Sequence, residues 1–471
     1  MKLNPNVPTQ QLKQAVDYKL ESLTLYAPGF TGDLDLLPYL LELNYFEDIF
    51  NNTISGSIVV NDSVGLLNFA SISGTEYINI RFRKSDSLPV TIDRNFRIFG
   101  ISDRRFDLSN NNEVYKIEFC SEEFILSEQY RISKSYKGKS ISDIVGDICG
   151  RYLKIGTDTK SKSLFIDDTQ GVYDFVLPNK KPLETINWLC NYAIPSKYPN
   201  GADILFFENR IGYFFTSLQH LFQSNPVLGF VYNPKNITSD VYSNMTNVLS
   251  FEVINYVNNL DSMNKGKFAN RLITVDPFKR TKTVTDFNYN DYVKKSASLN
   301  GSPVTNNYQN KHGKMLFESP SKDMEAGVLR MMVSNAGHQM TMPFVKDNNP
   351  SAVTRDYQIE RTIPYRVAQL ELSRHTTLKI TVPGNSGLFA GMCVNFTTPS
   401  SSILNTKGDR PMDPYLSGKY LVTAVRHIIT PASYICVAEI CKDSGLMNYS
   451  GVNNNDSNWK SLVSGKQNNK N

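Results

Sequence analysis

Apolar and polar residues alternate along residues 35–120, between turns that are rich in polar residues. In residues 77–83, for example, Ile78, Ile80 and Phe82 are separated by polar side chains. Successive side chains of a β-strand point to opposite faces, so this spacing predicts strands with one packed face and one solvated face. We therefore expect residues 1–130 to form an antiparallel β-barrel that carries an N-terminal arm.

At Ser140 the spacing of the apolar residues changes to three and four positions, which predicts a short amphipathic helix. A second helix is predicted to begin at Pro182 and to end before Pro195, because proline favours the first helical turn and blocks continuation. The apolar stretch 204–215 is interrupted by Glu208, Asn209 and Arg210, which predicts a hairpin. Residues 131–225 are therefore expected to form a small α/β domain.

The pattern returns to strands in the C-terminal part of the chain. Residues 226–364 are predicted to hold the start of a second barrel and an Asn-rich insertion, with a helix near residues 323–333. A helix from Tyr365 leads to a second alternating run, so we expect a second barrel over 365–446 and a flexible tail over 447–471. The predicted fold is mainly β, with two antiparallel β-barrels and an intervening small α/β domain.

The two β regions match one another in the same order. Residues 78–82 correspond to 392–396, residues 96–101 to 420–425, and the strand that ends at Cys120 to the one that ends at Cys441. Any two antiparallel barrels share strand spacing, and this remains the alternative explanation. We favour duplication, which would let three chains present six similar units to a sixfold partner.

Charge gives little evidence for a dedicated nucleic-acid binder, since the net charge is only +5 over 471 residues. The local basic runs are interpreted as solvated faces or contacts between subunits; they comprise Arg81, Arg83, Lys84, Arg104, Arg105, Lys134, Lys137 and Lys139. No stretch reaches eighteen apolar residues, so we expect no stable membrane insertion.

Few residues suggest a catalytic, cofactor or metal site. The six cysteines are scattered within apolar patterns and are expected to be buried, reduced thiols; they are Cys120, Cys149, Cys190, Cys393, Cys436 and Cys441. The carboxylate pairs Asp33 with Asp35 and Glu122 with Glu123 are interpreted as solvated charge. His427 is expected to cap a barrel rim. We predict no catalytic, cofactor or metal site, and hence no enzyme.

Three stretches of the chain resemble a known family, the baseplate hub proteins of contractile phage tails, which are related to the base of the type VI secretion spike. The matching stretches are residues 206–222, residues 268–289, and residues 383–427. The residues that carry the match are Phe207, Glu208, Gly212, Asp276, Pro277, Pro383, Gly384, Gly391, Gly418 and Tyr420. Residues 290–350 and the C-terminal tail have no counterpart in the family.

The resemblance implies tail-tube-like barrels and a homotrimer that forms a pseudo-sixfold ring in the virion baseplate, assembled in the host cytoplasm. Its implied neighbours are the central spike and the tail tube or tube-initiator protein, with the tape measure protein and baseplate wedge as further candidates. DNA would pass through the lumen without sequence-specific binding. A tail-associated peptidoglycan lysin and a glycan-binding adhesin remain alternatives.

Overall fold

A computed structural model describes most of the two β regions and of the α/β region. The described residues are 18–27, 33–67, 72, 74–85, 88–107, 112–157, 161–232, 244–256, 258–276, 280–293, 295–300, 302–303, 328–333, 359–400, 412–413 and 415–445. The predicted tail 447–471 and most of residues 290–350 lie outside them.

The first part of the chain and the α/β region contribute twelve strands. They are β1 (Lys19–Tyr26), β2 (Leu34–Asp35), β3 (Leu40–Asp48), β4 (Ser55–Asp62), β5 (Tyr77–Ser85), β6 (Leu88–Asp107), β7 (Asn112–Cys120), β8 (Ser135–Lys139), β9 (Ser163–Ile166), β10 (Tyr173–Val176), β11 (Ile204–Glu208) and β12 (Gly212–Ser217).

The later part of the chain contributes the remaining described strands. They are β13 (Leu228–Val231), β14 (Ser250–Asn255), β15 (Ala269–Asp276), β16 (Thr281–Asn288), β17 (Ser302–Pro303), β18 (Val328–Val333), β19 (Thr376–Pro383), β20 (Cys393–Thr397), β21 (Gly418–Thr430), β22 (Ser433–Lys442) and β23 (Ser444–Gly445).

The described helices are short. They are α1 (Glu122–Gln129), α2 (Ile141–Ile148), α3 (Pro182–Cys190), α4 (Leu218–Gln223), α5 (Asn259–Asn264), α6 (Tyr289–Val293) and α7 (Ile359–Ser373), together with a 3-10 turn at Leu37–Tyr39 and a π-helical turn at Cys149–Leu153. Among these helices, none has the length and apolar content needed to cross a bilayer.

One sheet of thirteen strands dominates the fold, which confirms the prediction of a mainly β protein. Its order is β14-β19-β22-β21-β3-β4-β7-β6-β5-β1-β2, and β20 pairs with both β21 and β13. Within it, β3, β4, β7, β6 and β5 form consecutive antiparallel pairs, which we call the first unit. Strands β14, β19, β22, β21 and β20 form the same succession, which we call the second unit.

The two units agree in detail as well as in strand order. The ladder between β6 and β7 shifts register between Ile98 and Gly100, and the ladder between β21 and β22 shifts between Val422 and Ala424. When these irregularities are aligned, Cys120 and Cys441 occupy the same place in the two units. The duplication predicted from the sequence is thus confirmed in its topology.

One of the three predicted correspondences has the wrong register. The sequence comparison aligned Ile78 with Met392. In the structure Tyr77 pairs with Arg97, and Cys393 pairs with Leu421, the equivalent of Arg97. Tyr77 is therefore the equivalent of Cys393. The error is a shift of two residues. Such a shift preserves which side chains face inward, so the alternation of apolar residues could not reveal it.

The two units share one hydrophobic core. Strands β3 and β21 pair directly and join the units edge to edge. Across the seam the rings of Tyr45 and His427 lie 5.5 Å apart, and those of Phe82 and Tyr434 lie 5.6 Å apart, both edge to face. The joint therefore removes one free edge from each unit and buries aromatic surface from both.

The α/β region has a core of its own. The predicted helices are confirmed as α2, which begins at the cap Ser140, and α3, which begins at Pro182. The predicted hairpin is β11–β12, and β9 adds to it in parallel. Ile144, Ile186 and Phe206 are buried together in this core. The exact domain limits remain a prediction.

Two helix predictions need correction. Residues 328–333 form strand β18, parallel to β15, and the rest of the predicted helix 323–333 lies outside the described residues. An apolar run this short fits either element, and its pairing with β15 decides in favour of a strand. Helix α7 begins at Ile359 and includes Pro364, so it starts six residues before the predicted start at Tyr365.

Gly384 provides a test of the packing between β19 and β22. A Cβ atom at this position would lie 2.1 Å from Cγ of the buried Tyr434 ring. We expect Gly384→Ala to lower the free energy of unfolding by about 1–3 kcal/mol, because the ring has to move. Urea denaturation followed by circular dichroism would measure this. Gly229→Ala is the matched control, since nothing lies within 4 Å of its added Cβ; equal losses would contradict the interpretation.

Candidate functional site at the junction of the two β units

The hairpin β11–β12 of the α/β region reaches the place where the two β units meet. All five residues of β11 are buried. Because side chains alternate along a strand, Phe206 packs into the α/β core while Leu205 and Phe207 pack into a second cluster with Ile49 and Cys393. The hairpin thus belongs to two cores at once and connects the α/β region to both units.

Two glycines permit this close packing. Gly391 has φ +91°, and a Cβ there would lie 3.0 Å from the Phe207 ring. Its N–H donates to the carbonyl of Val422 at 2.9 Å. At Gly212 a Cβ would lie 2.4 Å from the carbonyl oxygen of Ser163 in the neighbouring parallel strand. Both positions therefore require glycine for steric reasons.

The hairpin turn makes polar contacts with both units. The Asn209 side-chain amide donates to the carbonyl of Ala390 at 3.0 Å, and the Arg94 guanidinium donates to the carbonyl of Arg210 at 2.6 Å. Glu47 of β3 accepts from the N–H of Ala390 at 2.9 Å. One turn and one carboxylate therefore fix the relative position of β3, β6 and the loop before β20.

Glu208 is the centre of a buried polar network. Its carboxylate accepts from the Ile54 N–H at 3.0 Å, from the Ser121 hydroxyl, from Lys162 Nζ at 2.6 Å and from the Tyr213 hydroxyl at 3.0 Å. Ile54 and Ser121 belong to the first unit, whereas Lys162 and Tyr213 belong to the α/β region. The network therefore holds these two parts together.

Glu123 is the second carboxylate of the network. It accepts from the same Lys162 Nζ at 2.7 Å and from the Tyr213 hydroxyl at 3.1 Å. Burial raises the pKa of Glu123, while for Lys162 the two carboxylates outweigh burial and raise its pKa. Glu123 is only 8% exposed, so its prediction as solvated charge was wrong. Its neighbour Glu122 is half exposed and pairs with Arg97.

These carboxylates are not arranged for glycoside hydrolysis. Both bind one lysine and one tyrosine hydroxyl, and the side chain of Glu208 is 0% exposed. A glycosidase needs two carboxyl groups on opposite sides of a sugar-binding cleft. Among the residues that the structure describes, no group of three His, Cys, Asp or Glu side chains could hold a metal ion. The network can hold the fold together, and its geometry offers nothing to a substrate.

His427 lies inside the core, so its prediction as a rim residue was wrong. It lies in β21 three residues before the end of the strand, is fully buried, and its Nδ1 lies 2.7 Å from the Tyr434 hydroxyl and 3.2 Å from Cys436 Sγ. Burial, assisted by Arg210, lowers the pKa of His427 to about 3. The imidazole is therefore neutral in the folded protein. The strand continues beyond His427 to Thr430, which pairs with Ser433. Apolar spacing alone could not show that the strand extends this far.

The remaining family-motif residues do not gather at one point. Pro383 ends β19 and Gly384 follows it, while the Tyr420 hydroxyl donates to the carbonyl of Leu416 at 2.5 Å. Gly418 begins β21 with φ +136°. Asp276 ends β15, far along the chain in a separate sheet, and Pro277 lies outside the described residues. Only Phe207, Glu208, Gly212 and Gly391 belong to the junction.

Several residues of the junction escaped the sequence analysis. Lys162, Ser121 and Glu47 have no motif around them. Lys84, predicted to lie on a solvated face or in a contact between subunits, is 1% exposed and lies 5.8 Å from the Tyr434 ring. All six cysteines are buried as predicted. Burial raises the pKa of Cys120 to about 12.

Comparison with known proteins agrees with the expected family. No protein-family model matches the chain. A curated relative, the probable baseplate hub protein gp334 of Vibrio phage KVP40, is 20% identical over 417 residues, which cover 86% of this chain and 90% of that protein. The resemblance to phage baseplate hub proteins is confirmed.

A solved structure shares the fold at low sequence identity. The tail protein from Neisseria meningitidis MC58 is 9% identical, and the match covers 90% of this chain and 96% of that one with a TM-score of 0.50. The c3393 protein of E. coli, a type VI secretion component with structural similarity to T4 tail proteins gp27 and gp5, is 10% identical, over 91% of this chain and 79% of that one, with a TM-score of 0.43.

Lys162 provides a test of the network at the junction. Lys162→Met would leave two buried carboxylates without their shared cation, and we expect it to lower the free energy of unfolding by about 3–5 kcal/mol. The matched control is Lys180→Met, which breaks an i,i+4 pair with Glu184 at the surface and should cost less than about 1 kcal/mol. Urea denaturation measures both. Similar losses for the two variants would show that the network is not structural.

Glu47 provides a test by pH. Burial raises its pKa in the folded protein from the ordinary 4.5 to about 7. Between these values the folded chain keeps a proton that the unfolded chain releases, so the contribution of Glu47 to stability falls as the pH rises from 4.5 to 7. Glu47→Gln should reduce this loss of stability with rising pH by up to roughly 3 kcal/mol. Urea denaturation at pH 5 and pH 8 checks it, and an unchanged difference between the two pH values would refute it.

Proposed function

We propose that this chain is a structural subunit of a contractile phage tail baseplate, in which three copies form a pseudo-sixfold hub ring. The observation that carries the proposal is the repeated strand order of the two units. Three chains with two equivalent units each present six similar surfaces, and so can contact a sixfold partner on one side and a threefold partner on the other. The curated relative, a probable baseplate hub protein, supports the same role.

The junction supports a rigid ring. In each chain the seam between β3 and β21, the β11–β12 turn and the network of Glu208 fix the two units and the α/β region against one another. A ring in which both units of a chain are held rigidly keeps its six positions fixed under load. A hub that must hold its neighbours until the tail contracts needs this property.

The proposed neighbours are the central spike and the tail tube or tube-initiator protein, with the tape measure protein and the baseplate wedge as further contacts. DNA would pass through the lumen without sequence-specific contacts, which agrees with the small net charge of +5. The ten family-motif residues are proposed to act structurally, through packing and turn geometry. Assembly is proposed to take place in the host cytoplasm, and the mature location is the virion baseplate.

The mass of the purified chain tests this proposal. We expect a particle of three times the mass of one chain, with a ring in negative-stain images that shows six similar lobes. Light scattering over a hundredfold range of concentration would show whether the assembly is stable. A monomer at every concentration, also in the presence of the spike protein, would overturn the proposed function.

A further inference from the structure

We propose that the free edge of β14 in one protomer pairs, antiparallel, with residues 101–106 of β6 in the next protomer. The partner is thus a second copy of this chain, bound head to tail. The inference rests on the proposed ring and specifies how it closes.

Both edges are open in the described part of the chain. Strand β14 is the last strand at one end of the large sheet and pairs only with β19 among the described strands. Strand β6 pairs with β7 along one side, but on the other side its ladder with β5 stops at Arg97. From residue 100 onward, none of the described strands pairs with this side of β6, and such edges attract further strands.

The seam inside the chain is a template for joining these two edges. Strand β3 holds the first position in the first unit, as β14 does in the second. Strand β21 occupies the place of β6, and β3 pairs with the part of β21 that lies beyond its irregularity, residues 424–429. The same operation applied to the other half of the duplication places β14 on the part of β6 beyond Gly100. This part has a further register shift between Ser102 and Arg105, and β14 has its own shift between Val253 and Asn255.

The template also fixes the register. At the internal seam Arg426 is opposite Phe46, Ile428 is opposite Asn44, and Ile429 is opposite Leu43. The ladders of β21 with β22 and of β6 with β7 give the equivalents of the β21 residues. The successive ladders β3–β4–β7 and β14–β19–β22 give the equivalents of the β3 residues. The three interprotomer pairs are Ser102 with Asn255, Arg105 with Glu252, and Phe106 with Phe251.

Charge agrees with this register. Arg105 is exposed, and the Glu252 side chain is 70% exposed and lies 3.9 Å from Lys379 Nζ. Opposite charges that face each other across two strands stabilise the pairing, whereas like charges oppose it. The register derived from the backbone alone thus brings a cation opposite an anion.

Apolar exposure agrees as well. At the internal seam Leu43 and Ile429 are both 0% exposed, whereas their equivalents are open: Phe106 is 63% exposed and Phe251 is half-buried. Val253 and Ile254 of β14 are 40% and 53% exposed. Pairing would cover these side chains in the way that the seam covers Leu43 and Ile429. An apolar edge strand of this kind would otherwise promote aggregation.

Closure follows from the number of units. Each protomer would use β6 of its first unit and β14 of its second, so the contact is heterologous, and equal steps between six units close after three chains. A strand β14 that paired with another β14 would instead give a twofold dimer. The two arrangements differ in which residues face each other.

Disulfide trapping distinguishes them. The chain with both Ser102→Cys and Asn255→Cys should form, under mild oxidation, covalent species of two and three chains on a non-reducing gel. Neither single variant should cross-link alone, and a mixture of the two should give only a covalent dimer. The chain without added cysteines is the control for its six buried thiols. Cross-linking by Asn255→Cys alone would indicate β14 paired with itself and overturn the inference.

Charge reversal at Arg105 and Glu252 is a second test of the proposed pairing. Arg105→Glu and Glu252→Arg should each weaken assembly by about tenfold per interface, and the double variant should recover it. Lys137→Glu, an exposed strand cation in the α/β region, is the matched control and should have no effect. A stable trimer that neither cross-links nor responds to charge reversal overturns the inference and leaves the proposed function intact. A monomer that gives no cross-link overturns both.

Discussion

Backbone pairing between β3 and β21 joins strands that are almost four hundred residues apart in the chain, and the rest of the structure depends on it. The six aligned positions from Ala424 to Ile429 turn two five-stranded units into one sheet. Without this seam both units would have an unpaired edge, and the buried ring pair of Tyr45 and His427 would be exposed to water. The seam also sets the distance at which the β11–β12 turn can contact both units.

Polar groups at the junction act as constraints because they are buried. Glu208, Glu123 and Lys162 form one connected network with Tyr213 and Ser121, so removing Lys162 takes the shared cation from both carboxylates. A network of this kind contributes little net stability over an apolar core, but it allows only one arrangement of its parts. In the proposed ring subunit, the network fixes the α/β region on the first unit, while the seam and the β11–β12 turn fix the second unit.

In the proposed assembly, the duplication supplies two joints from one pair of strand types. The internal seam and the proposed interprotomer contact use equivalent strands, so one chain encodes both kinds of joint. At equivalent positions the two joints still differ in sequence: Ile428 is opposite Asn44 at the seam, whereas Arg105 would be opposite Glu252 between chains. The seam already holds one charge pair, Arg426 with Glu42 at 3.3 Å. The proposed joint between chains places its own pair directly opposite across the two strands, where it favours one register over others.

The sequence by itself determined the local secondary-structure elements and the duplication of the two β units. Alternation predicted the strands, the change of spacing at Ser140 and the proline at Pro182 predicted α2 and α3, and ordered similarity predicted the duplication. These features depend on residues close in the chain, which a pattern records directly. Tertiary structure alone decided the register of β20, the strand β18, the burial of Glu123 and His427, and the seam itself. Strand pairing and burial are set by partners that lie hundreds of residues away, and a pattern with a period of two residues is the same in every register that differs by two.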